Sequence, residues 1–189
     1  MSELLDIVDA NGEPTGEQLD KAEIHRRELL HRDVHVWITD GQNILEQQRA
    51  FDKTIMPGKW DIAVGGHVAA GESYLEAAVR ETEEELGLRL PSERFIPAGR
   101  LAVDMVLTGR PQRHWHHRVV GDNFVVVERN LNLDDLTLQA SEVVGARLYP
   151  IDRLEADLRR FDTAGRHARQ PLELWQLGIA AMRAAAEQQ

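Results

Sequence analysis

The 189-residue chain contains no cysteine. That excludes disulfides, thiolate metal sites and cysteine nucleophiles. It also lacks any apolar run near the ~20 residues that a membrane-spanning helix needs, so no membrane partner is expected. Its first residues, Met1-Ser2-Glu3-Leu4-Leu5-Asp6, are acidic, with no basic segment ahead of an apolar stretch. No signal peptide is therefore expected, and the cytoplasm is the expected location. Positive charge is scarce: 22 Lys and Arg stand against 32 Asp and Glu, a net charge of -10. Nucleic acid polymers favour basic surfaces, so they are not expected partners. A small phosphorylated ligand stays compatible, provided metal ions or a local basic patch offset the like charge. Internal repeats, low-complexity tracts and long linkers are absent too.

What remains is an ordinary globular balance, 42% hydrophobic and 29% charged, enough to build a core. Asn11-Gly12 is a turn signal between two short runs, which predicts a small N-terminal hairpin. A short helix is expected over residues 20–31, with Asp20 as N-cap. Val34-His35-Val36-Trp37-Ile38-Thr39 reads as a strand, Asp40-Gly41 as a turn, and residues 43–48 as the return strand. A loop holding Pro57-Gly58 follows. Ser73 opens a helix with Glu76 as its capping-box partner, and Gly87 closes it. Further strands are expected at 95–107, 120–128 and 143–149, and helices near 150–159 and 171–187. Residues 110–118, rich in Arg and His around Trp115, read as a loop and a local positive patch. Strands flanked by helices on this plan predict an α/β (α+β) sandwich with a mixed sheet.

The helix after Ser73 carries the chemistry. At ~100° per residue, Glu84 and Glu85 fall about 60° and 40° to either side of Glu81. Leu75, Val79, Thr82 and Leu86 lie on a neighbouring arc. One side of the helix can thus pack into a core while three carboxylates gather outside it, the oxygen-rich set that a hard cation such as Mg²⁺ needs. Taken alone, the three glutamates also suit a solvated face. Arg80 can reach back to Glu72 and fix the preceding loop. Glu83 points elsewhere and is expected in solvent.

The stretch from Gly66 to Leu88 resembles the Nudix box. Gly66, Glu72, Arg80, Glu81, Glu84, Glu85, Gly87 and Leu88 match in register, and Thr82 stands where the box has an apolar residue. Seven fixed identities at ordinary composition arise by chance in roughly one start in 10⁸. The register favours a metal site over a solvated face. The resemblance covers about residues 33–158 and implies an α/β/α sandwich, with an N-terminal extension over 1–32 and a C-terminal helical extension over 159–189 packed on it. It implies hydrolysis of a diphosphate linkage in a small substrate, a nucleoside diphosphate derivative or an isoprenoid diphosphate. Glu81, Glu84 and Glu85 would hold Mg²⁺, with Mn²⁺ as a substitute. Glu84, Glu85 and the distant Glu142 are the candidate catalytic residues, and Gly66, Glu72, Arg80 and Gly87 the structural frame. Arg49, Lys53, Trp60 and His67 are the candidate substrate-binding residues. A homodimer is compatible with the family.

Within the superfamily, Asp9-Ala10-Asn11-Gly12-Glu13-Pro14-Thr15-Gly16, Lys21-Ala22-Glu23-Ile24-His25, Leu30-His31-Arg32 and Pro57-Gly58-Lys59-Trp60-Asp61 resemble isopentenyl-diphosphate isomerases. That branch binds a metal through histidines at positions like His25, His31 and His67. It also carries a catalytic cysteine where this chain has Gly65, and two carboxylates on a later strand, where only Asp122 stands here. The expectation is an isomerase-like scaffold that hydrolyses. An isomerase, or a catalytically silent nucleotide-binding module, is the alternative.

Overall fold

The computed structural model describes residues 3–108, 114–159, 167–168 and 170–188. Strands β1 (Leu4–Val8) and β2 (Pro14–Asp20) form the expected antiparallel hairpin. Helix α1 spans only Lys21–Arg26, capped by the Asp20 side chain on Ala22 N at 2.9 Å. The expected helix over 20–31 is therefore too long. Glu28 turns to φ 55°, and strand β3 (His31–Thr39) starts at once, pairing in parallel with β8 (His114–Val127) from His31↔Val119 onward. Nine backbone pairings outweigh the helical preference of three residues.

Strands β4 (Asn43–Arg49), β5 (Trp60–Asp61), β6 (Val64–His67), β7 (Ile96–Thr108) and β9 (Val143–Pro150) complete a mixed seven-stranded sheet, with β5-β4-β3-β8-β7 as its main path. The β3–β4 return is narrower than the sequence suggests. Its one register pair is Thr39↔Ile44, after which β6 lies against β3 and β9 against β4. The expected loop over 110–118 is corrected as well: β8 begins at His114, and His114–Arg118 pair with Asp104–Thr108. Residues 110–113 lie outside the described residues.

Strand alternation sorts side chains to the two faces. Val34, Val36 and Ile38 of β3 join a core with Ala77, Ala78 and Leu86 of helix α2 (Tyr74–Leu86). Trp37 joins the opposite core with helices α3 (Ile151–Arg159) and α4 (Leu172–Glu187), which supply Leu154, Leu174, Trp175, Ile179 and Met182. The Trp37 ring lies against Gly178, where a Cβ would collide with it. Helices on both faces of a mixed sheet make the expected α/β/α sandwich, and the C-terminal helix is part of its core. The N-terminal hairpin is bound in through the buried pair Asp6–Arg32, 2.7 Å apart. No described helix is long and apolar enough to cross a membrane.

Candidate metal centre

Helix α2 begins and ends as its sequence requires. Ser73 and Glu76 form a reciprocal capping box, and Gly87 takes φ 72°. A side chain at Gly87 would run into Thr137. The reason is functional geometry: Thr137 N and Gln139 N donate to the Leu86 and Glu85 carbonyls at 2.9 and 3.0 Å, closing the helix end. This segment leads directly into Glu142, whose N–H donates to Gln139 O at 2.8 Å. The helix terminus thus sets Glu142 beside the box. Thr82 is buried and donates its hydroxyl to Ala78 O at 2.7 Å, which satisfies the polar atom at an apolar position.

Arg80 is the hub of the box. It donates to both oxygens of Glu72 at 2.9 Å, to Glu81 at 2.8 Å, to Glu84 at 3.2 Å and to His67 O at 3.1 Å. Glu72 in turn accepts from Ala69 N at 2.9 Å, so the loop is tied to the helix. The Glu81 carboxylate lies against Gly66, where any Cβ would overlap it. Glu84 is exposed, and so is Glu83 as expected.

Glu85 is 6% exposed and accepts one hydrogen bond, from Gln47 Nε2 at 3.1 Å. Burial pushes its pKa up to about 8, and the charges of Glu81 and Glu142 push the same way, against Gln47 and Arg49. Burial likewise raises Glu81, against Arg80. Glu81, Glu85 and Glu142 are therefore electrostatic neighbours, and their oxygen-only chemistry fits a hard divalent cation.

Beside these carboxylates, the loop after β4 supplies cations. Lys53 pairs with Glu142. Arg49 lies 3.7 Å from the buried Asp61 and donates to Ile55 O at 3.3 and 3.2 Å. Trp60 is half-buried, with the Arg147 guanidinium 4.1 Å from its ring centroid; Glu46 fixes Arg147 at 2.7 Å. Trp60 thus carries a cation against its ring.

His67 belongs to a second cluster. One ligand atom from each of His25, His31 and His67 lies within 4.8 Å of the others. Sequence reasoning found these three but missed their carboxylate. Asp33 is buried on the same face of β3 as His31, 3.9 Å from His67 Nε2 and 3.4 Å from His117 Nε2. Burial alone would raise Asp33; the imidazoles of His67 and His117 hold it low instead. His25 is lowered to about 4, first by burial and then by His31. Alternation along His31-Arg32-Asp33 was the signal that could have found Asp33. Asp122, the carboxylate singled out on the later strand, pairs instead with Arg100. Among the described residues, the box glutamates form no comparably tight cluster of three.

The NUDIX domain family matches residues 29–170. Nudix hydrolase 3 of Arabidopsis thaliana is 34% identical over 165 residues, covering 86% of this chain and 21% of that protein. An isopentenyl-diphosphate Delta-isomerase of Serratia proteamaculans is 43% identical over 88 residues, 46% of this chain and 49% of that one. The chain thus spans about half or less of these relatives. A crystal structure from Deinococcus radiodurans superposes with a TM-score of 0.64 at 19% identity, covering 95% and 99% of the two chains, and shows the same fold. With the box folded as above and the match running across the sandwich, the chain belongs to the NUDIX domain family.

Proposed function

We propose that this protein is a Mg²⁺-dependent hydrolase of a diphosphate linkage in a small substrate. The observation that carries the reading is the buried Glu85, held among Glu81 and Glu142 with Arg49 acting on it and Lys53 paired to Glu142. Glu81, Glu84 and Glu85 would hold the cation, with Mn²⁺ as a substitute. When bound, it would neutralise diphosphate charge and make a water more acidic. The chain's own groups do the rest. Arg49 binds phosphate oxygens and stabilises the crowded negative charge of the transition state, and Lys53 binds the substrate's phosphate. Glu142 leaves Lys53 when the substrate's phosphate arrives and accepts the proton of the attacking water. Arg80 holds Glu72 and the loop carrying Gly66 while this occurs.

The histidine cluster supports a second divalent cation. Among the described residues, His31 Nε2 and Asp33 Oδ1 are buried with no hydrogen-bond partner, and nitrogen donors with one carboxylate suit Zn²⁺ or Mn²⁺ better than Mg²⁺. Hydrolysis is favoured over isomerisation because Gly65 offers no side chain where the isomerase branch has its cysteine.

The test is a panel of nucleoside and isoprenoid diphosphates, assayed for phosphate release with and without Mg²⁺, comparing wild type with Glu85→Gln. Mg²⁺-dependent release that the variant loses is expected. Metal-independent release, or an undiminished variant, overturns the proposal. Conversion of isopentenyl to dimethylallyl diphosphate without phosphate loss would establish the isomerase instead. Tight nucleotide binding with no product would establish a silent module.

A further inference from the structure

We infer that Asp61 and Gln170 are positioning residues for Arg49, so that the segment entering the C-terminal helix helps to build the phosphate site. The inference rests on the reading of Arg49 as a phosphate-binding residue and names what holds it in place.

Asp61 is a buried carboxylate, 3% exposed, that takes no part in the proposed chemistry. An ion withdrawn from water is costly unless charge and hydrogen bonds answer it. Its neighbours divide that work. Oδ1 accepts from Ile62 N at 2.9 Å, and both oxygens accept from Gln170 Nε2 at 3.3 Å. These donors are neutral. Positive charge comes from Arg49, whose Nη1 lies 3.7 Å from Oδ2. That distance makes an ion pair but is too long for a hydrogen bond. Asp61 therefore places the guanidinium without taking up its Nη1 hydrogens.

Arg49 is drawn toward a second set of carboxylates as well. Its charge is felt at the buried Glu85, as are those of Glu81 and Glu142. Ala50, next in the chain, donates its N–H to Glu142 O at 2.8 Å, so the loop holding Arg49 is joined to the segment carrying Glu142. An arginine collapsed onto Glu85 or Glu142 would occupy the oxygens that a cation needs. Asp61 competes for the same guanidinium, and Ile55 O takes its Nε and Nη2 at 3.3 and 3.2 Å. Together they hold Arg49 back from the metal ligands and ready for a phosphate.

Gln170 is fixed in turn from both sides. His167 forms a parallel bridge with Trp60, and Ala168 N donates to Trp60 O at 2.7 Å, which lays this segment along β5. His167 is 2% exposed, with Nε2 3.0 Å from Oε1 of the fully buried Glu46. On the other side Pro171 opens helix α4, whose Leu174 and Trp175 are buried. Covering the edge strand β5 accounts for the backbone contacts. It does not account for an amide aimed at both oxygens of a buried carboxylate.

The experiment is a double-variant cycle read by equilibrium binding of inorganic diphosphate, with Mg²⁺, to the full chain: wild type, Asp61→Asn, Arg49→Ala and the two combined. By charge alone, removing a carboxylate near an anion site tightens diphosphate, so a loss is the sign of positioning. Asp61→Asn should weaken binding about tenfold, and by less than about twofold once Arg49 is alanine. Gln170→Leu should weaken it about threefold, a loss that also disappears with Arg49. That variant keeps both charges and carries the test if thermal melts show Asp61→Asn unfolded. Unchanged or tighter binding in these variants overturns the inference. So does a loss that persists at full size beside Arg49→Ala, since it would make Asp61 a support for the fold alone. Diphosphate binding that Arg49→Ala leaves intact is a separate result: it removes Arg49 from the phosphate site, and the inference falls with that reading.

Discussion

The Arg80 guanidinium grips both oxygens of Glu72 at 2.9 Å, joining the turn before helix α2 to its middle. This fork is what the Glu72–Arg80 spacing makes possible, and it leaves Arg80 Nη1 free to reach Glu81 and Glu84. Arg80→Ala is expected to cost about 2–3 kcal/mol, because Glu72 is 15% exposed and loses its charged partner. Arg80→Lys keeps charge but not the fork and should cost about 1 kcal/mol. Urea unfolding measures both, and an alanine variant as stable as wild type would show the fork to be dispensable.

Glu85 makes the metal-free protein sensitive to alkali. Its pKa is raised from 4.5 to about 8 in the fold, so the folded state holds a proton that the unfolded state has released. Stability is then complete below the lower value and declines as pH rises through the window between them. The fall is at most roughly 5 kcal/mol, since each pKa unit is worth ~1.4 kcal/mol. Glu85→Gln should flatten the decline, and Mg²⁺ should restore wild-type stability at pH 8. Denaturant midpoints at pH 5, 6.5 and 8 in EDTA check this. Parallel pH dependences for wild type and variant would refute it.

These features differ in how far the sequence exposes them. The capping box, the Gly87 stop and the Glu72–Arg80 link are local, so propensity and spacing reach them. Glu142 belongs beside Glu85 only because Thr137 and Gln139 close the far end of helix α2, a contact across more than fifty residues that no periodicity carries. Asp33 was within reach, but beginning the strand at Val34 cut it off from His31. Helix α1 was overextended because Glu28, Leu29 and Leu30 favour helix locally, while tertiary pairing of His31 with β8 decides otherwise.

Asp6 is where the N-terminal hairpin acts on the site. Its carboxylate accepts from Arg32 at 2.7 Å, from Gly71 N at 2.9 Å and from Gln18 at 2.9 Å. Asp6→Ala leaves Arg32 buried and unpaired, at a cost of about 3–5 kcal/mol. It also frees the Gly71 turn that leads to Glu72. Turnover should therefore fall in protein that is still folded, measurable at a temperature below the variant's melting point. Loss of stability with full specific activity would separate the hairpin from the box.

Lys53 and Glu142 make a switch that kinetics can read. They pair in the free protein, and an arriving phosphate would take Lys53 and release Glu142 beside Glu85. Glu142→Gln should lower kcat about 10²- to 10⁴-fold with little change in KM, the range for loss of a general base. Lys53→Ala should instead raise KM, because it removes a phosphate contact. The double variant tests the coupling. If the two residues act in sequence, removing Lys53 should change kcat little once Glu142 is gone, and the KM effect should persist. Strictly additive losses in kcat would mean that the ion pair has no part in the reaction.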